Sequence, residues 1–161
     1  MDGGSTDGTV ESVKTQFPHV NIKTVDGVFW NRGMIEAWKM AEEKKRNGCN
    51  YDYYLWLNDD TFIYKDCIAS LLRVSLLKKN RTIVLGSTVD TQTRSKLTYG
   101  GRDKTGKVAR PSSDDSPVPV IMMNGNIVLV PHSVYKKLGT LDPYYTCLLY
   151  TSDAADDGES V

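Results

Sequence analysis

Nitrogen and sulfur ligands are scarce in this chain: three cysteines and two histidines occur in 161 residues. Cys49, Cys67 and Cys147 show no CxxC or other metal-ligand spacing. That excludes a disulfide framework or zinc cluster, and a reduced cytosolic protein is the simplest reading. His19 follows Pro18 and His132 follows Pro131. Each is isolated beside a turn residue, which marks a surface or capping histidine and not a catalytic one. The sequence also lacks any apolar run of about 18 residues, so it predicts no transmembrane helix and no signal peptide.

One-sided charge is missing too. Twenty Lys and Arg balance twenty Asp and Glu. Cys147 to Val161 holds four of those acids and no Lys or Arg, so residues 1 to 146 carry 20 − 16 = +4. Basic residues spread thinly along helices are a solvated surface, and nucleic-acid binding is not indicated. The first 146 residues suffice for one domain with a core.

The most informative segment that is present is Tyr51 to Thr61, YDYYLWLNDDT. An aromatic, leucine-rich stretch reads as a buried strand, and it runs directly into Asn58, Asp59 and Asp60. In open α/β sheets ligands collect at the carboxyl ends of strands. Adjacent carboxylates repel unless a cation or donor lies between them, and a hard divalent ion is the usual partner. A solvated turn capping the next helix is the competing reading of the same residues.

Strands and helices alternate along the chain, which predicts an α/β fold with a mainly parallel sheet flanked by helices. Val10 to Gln16 reads as a short helix capped by Thr6 or Asp7. Val20 to Val25 alternates as a strand does. Met34, Ile35, Trp38 and Ala41 recur at helical spacing between Gly33 and Lys45, so Trp38 reads as core. Ile68, Leu71, Leu72 and Ser75 mark the inner face of a further helix, and Thr82 to Leu85 a short buried strand. After Gly86 come short strands and polar turns: Leu97 to Tyr99, a turn near Gly106, and Pro111 to Pro119. These predict a small β-rich insert at the sheet edge.

Four segments, in order, resemble the family 2 (GT-A fold, Rossmann-like) glycosyltransferases across roughly residues 2 to 146. They are Asp2-Gly3-Gly4-Ser5-Thr6-Asp7-Gly8-Thr9; Asn31-Arg32-Gly33; Asn58-Asp59-Asp60; and Asn124-Gly125-Asn126 with Leu138-Gly139-Thr140-Leu141-Asp142. The resemblance implies transfer of a sugar from a nucleotide-diphosphate-sugar donor to a glycan or lipid-linked acceptor, with inversion. Asp60, with Asp59 or Asn58 assisting, would hold Mg²⁺ or Mn²⁺. Asp2, Asn31, Arg32, Asn58 and Asp59 would contact the nucleotide or donor; Gly100, Gly101, Asn124 and Gly125 would lie on the acceptor or sugar side. Arg32 reads equally as a surface ion pair, and Gly100 and Gly101 equally as hairpin glycines.

Two departures from the family pattern stand out. Gly3 replaces the second acid of the usual pair, which leaves the base preference open, and Asn58 replaces the first acid of the Asp-x-Asp motif, which removes one charge. The resemblance also implies that a first strand and helix precede Met1. It places the catalytic base beyond Thr146, where Cys147 to Asp156 (CLLYTSDAAD) resembles a translated sequencing adapter. The expected location is cytoplasmic, with peripheral association at the inner face of the membrane. A noncatalytic nucleotide-sugar-binding remnant and a sugar nucleotidyltransferase are the competing readings; for the latter no Gly-rich, Lys- or Arg-bearing phosphate loop is found.

Overall fold

The structure, a computed structural model, describes residues 1–110, 112 and 116–145. The expected tail at 147–161 and the base beyond Thr146 lie outside them. The chain divides into two units, one of residues 1–50 and 139–161, the other Tyr51–Leu138.

In the first unit the backbone turns left-handed at Gly8 (φ 85°) and enters α1, Thr9–Gln16. The N-cap is Gly8, without a side-chain cap bond, and not the expected Thr6 or Asp7; the Asp7 carboxylate instead accepts the Thr9 N–H at 3.0 Å in an Asx turn leading into the helix. α1 stops ahead of Pro18, which can neither donate in a helix nor let its predecessor stay helical. α2 spans Trp30–Arg46 and buries Asn31, Gly33, Ile35 and Trp38. Trp38 is therefore core, at 5 % exposure. Lys44, Lys45 and Arg46 complement the carboxyl end of the α2 dipole. A Schellman motif closes the helix: Gly48 (φ 98°) donates to the Lys45 carbonyl and Cys49 to that of Lys44. The predicted strand at Val20 to Val25 shrinks to a single parallel bridge between Thr24 and Asp2. A strand needs a ladder partner, and Asp2 supplies only the bonds to Lys23 and Val25.

The second unit is built on a three-stranded sheet ordered β1-β5-β2, where β1 is Tyr53–Leu57, β2 is Val84–Leu85 and β5 is Ile127–Pro131. Both neighbours pair antiparallel to β5. This corrects the expected mainly parallel, Rossmann-like GT-A sheet. β1 and β2 do run in the same direction, with α3 (Cys67–Leu77) between them in the chain, as the alternation implies. However, β5 returns between them with the opposite sense. Alternation predicts the direction of successive strands and carries no information on a later strand that inserts among them. β5 reads Ile-Val-Leu-Val-Pro, and all five residues are buried. Such an uninterrupted apolar run suits a strand covered on both faces.

Leu71, Val84, Ile127 and Leu129 form a core cluster, with Tyr53, Cys67, Leu72 and Val74 packed around it. Ile68 was expected on the inner face of α3 but is exposed, because Leu71 and Ser75 carry that face. A second Schellman motif ends α3, with Lys79 and Asn80 both left-handed at φ 56° and 55°. Beyond β2, β3 (Gly101–Arg102) and β4 (Met122–Met123) make a two-stranded antiparallel sheet. α4, His132–Leu138, follows β5 directly. Among the described residues no helix is long and apolar enough to cross a membrane.

Candidate functional site

Antiparallel pairing fixes where the acids fall. β1 alternates, with Tyr54 and Trp56 buried and Leu55 and Leu57 outward, and its ladder with β5 continues one step further: the Asn58 N–H donates to the Asn126 carbonyl at 3.0 Å. The segment Asn58 to Asp60 and the segment Asn124 to Asn126, far apart in sequence, therefore meet at one end of the sheet. The Thr61 N–H turns back to the Asn58 carbonyl at 3.2 Å, closing a tight turn that carries Asp59 and Asp60 on its outside. Both carboxylates are exposed. Among the described residues neither accepts a backbone N–H. Asp60 receives only a long 3.4 Å approach from the Thr61 hydroxyl.

Asp60 lines a cleft of about 520 Å³ within this unit. Asn126, just before β5, and Ile127, its first residue, line it, and Phe62, Tyr64 and Tyr99 give it aromatic surface. Ser87, Thr88, Thr91 and Thr98 contribute hydroxyls. Phe62 is 90 % exposed, which is unusual for a phenylalanine without a ligand or partner to cover it. Such a mixture of aromatic faces and convergent polar groups, in a volume of this size, is typical of small-molecule sites.

The predicted sugar-side residues gather on one wall of the same unit. Asn124 donates to the Gly100 carbonyl at 3.4 Å, and Gly101 pairs with Met123. Both glycines are buried by close neighbours. A Cβ on Gly101 would lie 2.6 Å from both Val120 methyls, and one on Gly100 would lie 3.0 Å from the Ser87 hydroxyl. Close packing thus excludes a side chain at Gly101 unless Val120 shifts and leaves only a tight fit at Gly100, and neither appears in the cleft lining, whereas their neighbour Tyr99 does. Gly125 is half-buried in the turn leading into β5.

In the first unit the predicted donor-side residues are differently occupied. Asp2 is buried, and its two carboxylate oxygens accept the N–H groups of Gly4 and Ser5, each at 3.2 Å. The Ser5 hydroxyl foremost, with that of Thr24 and these two N–H groups, holds the Asp2 carboxyl below the usual range against the opposing effect of burial. Asn31 is 2 % exposed and donates through Nδ2 to the Asp142 carbonyl at 3.1 Å. Asp142 in turn accepts the Tyr144 N–H at 2.9 Å, which makes it a turn-former, as its Leu-Asp-Pro setting suggests. Arg32 is exposed and, among the described residues, forms no ion pair.

No group of three or more His, Cys, Asp or Glu able to hold a metal occurs among the described residues. The donor set at Asp59 and Asp60 still fits Mg²⁺ or Mn²⁺. Two exposed, adjacent carboxylates with no backbone donors are hard oxygen ligands, and Mg²⁺ is commonly held by one or two carboxylates together with substrate phosphates and water.

Sequence reasoning missed the part of the cleft lining that comprises Ser87 to Thr91, Arg94 and Thr98. Arg94 has a left-handed backbone at φ 55°, a conformation uncommon for a residue of this size. The only sequence signal for it is the polar Asp-Thr-Gln-Thr-Arg-Ser run between Val89 and Leu97. No protein-family model, no curated protein and no solved structure matches this chain.

Proposed function

We propose that the Tyr51–Leu138 unit binds the diphosphate-sugar portion of a nucleotide-sugar donor and serves metal-dependent glycosyl transfer to a glycan or lipid-linked acceptor. The observation that carries this reading is Asp60. It is an acid free of backbone donors, beside Asp59 just past the end of β1, on the wall of a cleft that also presents Phe62, Tyr64 and Tyr99. Aromatic faces among hydroxyls suit a sugar ring, whose C–H faces are apolar and whose rim is polar. A carboxylate pair suits the cation that accompanies a diphosphate. When bound there, Mg²⁺ or Mn²⁺ supplies Lewis-acid stabilisation of the departing nucleoside diphosphate.

The chain's own groups divide the work by position. Asp60 and Asp59 hold negative charge at the sheet end. The Asn58–Asn126 backbone bond fixes the turn that presents them. Tyr99 and Tyr64 give the ring a surface, and the serine and threonine hydroxyls of the cleft lining offer donors and acceptors to its hydroxyls.

The test is Asp60→Asn, assayed by calorimetric titration of a panel of ribonucleoside diphosphates and thymidine diphosphate with and without Mn²⁺. A unit charge pair about 4 Å apart gains ~4 kcal/mol at an effective dielectric near 20, and exposure to water reduces this. A loss of at least about tenfold in Mn²⁺-dependent affinity is therefore expected. Binding in wild type that ignores Mn²⁺, or an Asp60→Asn variant that binds as wild type does, overturns the metal-site reading.

A further inference from the structure

The cleft has one cationic lining residue among the described residues, Arg94, and no acid among the described residues forms an ion pair with it. Asp90, the acid nearest in sequence, lines the same cleft. Its carboxylate is committed elsewhere: it accepts the Thr93 N–H at 2.5 Å, the Thr93 hydroxyl at 2.6 Å and the Lys96 N–H at 3.0 Å. These bonds, the Thr93 hydroxyl first among them, hold the Asp90 carboxyl well below the usual carboxylate range, so it stays ionised and occupied. The turn closes further through the Arg94 N–H to the Asp90 carbonyl at 3.1 Å and the Asp90 N–H to the Lys96 carbonyl at 2.9 Å. Arg94 sits in this pinned turn with a left-handed backbone, and its guanidinium forms no ion pair among the described residues.

We infer that Arg94 is an anion-binding residue of the cleft and receives a phosphate of the donor's diphosphate. This rests on the reading above that a diphosphate enters beside Asp60. A diphosphate carries more negative charge than one divalent cation cancels, and a planar guanidinium meets phosphate oxygens through paired N–H donors. The pinned turn adds pre-organisation, because a residue already held in an uncommon conformation loses little further backbone freedom on binding. Asp60 and Asp90 would repel a bare anion. Asp90 is screened by its three donors, and Asp60 faces the cation in the same reading. Arg94 is thus a binding residue for the leaving group, in the same cleft as the Asp60 that the sequence singles out.

The experiment titrates inorganic pyrophosphate, with and without Mn²⁺, into the full chain as wild type, Arg94→Gln, Arg94→Lys and Asp60→Asn. Gln and Lys meet the same backbone cost at this left-handed position, so they differ from each other chiefly in charge; matched thermal melting curves check that the turn persists. Arg94→Gln should weaken Mn²⁺-pyrophosphate binding by about tenfold to a hundredfold, the range of a charge-assisted hydrogen bond. Arg94→Lys, which restores the charge but not the paired donors, should recover only part of the affinity lost in Arg94→Gln, and Mn²⁺ alone should bind all three Arg94 proteins equally. Raising the salt concentration should weaken the wild type more than Arg94→Gln. Equal pyrophosphate affinity in wild type and Arg94→Gln overturns this inference, as does a wild type that binds no pyrophosphate. Loss in Arg94→Gln together with no effect of Mn²⁺ or of Asp60→Asn upholds Arg94 and overturns the metal site instead.

Discussion

Replacing Asn80 by alanine removes a junction that ties helix α3 to strand β1. Its Oδ1 accepts the Tyr53 hydroxyl at 2.9 Å and the Ser75 hydroxyl at 3.0 Å. Its own carbonyl accepts the Ser133 hydroxyl, and its N–H closes the end of α3 onto the Ser75 carbonyl. Alanine keeps the two main-chain bonds and loses both side-chain bonds. Ser75 has no solvent exposure, so its hydroxyl is left unsatisfied, at about 1–3 kcal/mol; the half-buried Tyr53 adds about 0.5–1 kcal/mol. The left-handed backbone at φ 55° suits asparagine and costs alanine roughly 1 kcal/mol more. The expected total is about 2.5–5 kcal/mol. Native-state hydrogen exchange at Val128, fully buried on the central strand, reads the stability of this unit directly, and the amide should exchange roughly seventyfold to several thousandfold faster. Two companions apportion the loss. Asn80→Asp keeps an acceptor for both hydroxyls and should recover most of it, whereas Asn80→Gly removes only the backbone strain. Exchange in Asn80→Ala within about twofold of wild type, or full recovery in Asn80→Gly, would refute the role given to the side chain.

Glu36 lies between Lys23 at 2.6 Å and Lys39 at 2.5 Å, and the Lys23 bond foremost lowers its carboxyl from an ordinary 4.5 to about 2. A folded value below the unfolded one stabilises the protein fully above about pH 4.5 and loses that contribution as pH falls towards 2. In urea unfolding between pH 5 and 2, Glu36→Gln should therefore show a shallower loss of stability than wild type; parallel curves would remove the two lysines from the account. Gly86 ends β2, and a Cβ there would collide with the Ile127 Cγ2 methyl, inside the core cluster. Gly86→Ala should cost about 1–3 kcal/mol by overpacking and lower the thermal midpoint, and an unchanged midpoint would show that Ile127 can move aside freely.

The elements themselves were largely readable from local pattern. β1, α2 and α3 fall where aromatic content or helical spacing places them, because those signals come from residues three or four apart. Strand direction was not readable, since it depends on which strand hydrogen-bonds to which. Nothing in Ile127 to Pro131 states that this strand returns between β1 and β2 and runs against both. The strand expected at Val20 to Val25 fails for the same reason: alternation describes a surface able to pair, and pairing at Asp2 alone leaves a bridge.

The site poses a different problem, because an aspartate beside a turn has two fates that composition does not separate. It can spend its oxygens on nearby backbone donors or present them to a ligand. Four acids take the first course through a Ser or Thr two or three residues ahead: Asp2 with Ser5, Asp7 with Thr9, Asp90 with Thr93 and Asp103 with Thr105. Asp59 has the same spacing to Thr61 and should by that rule be spent as well. It is not, because Thr61 donates its N–H to the Asn58 carbonyl, at the residue where the ladder with β5 ends. That main-chain acceptor takes the donor and leaves the acids open. The availability of Asp59 and Asp60 is thus set by a turn bond within the same four residues, which their composition does not disclose.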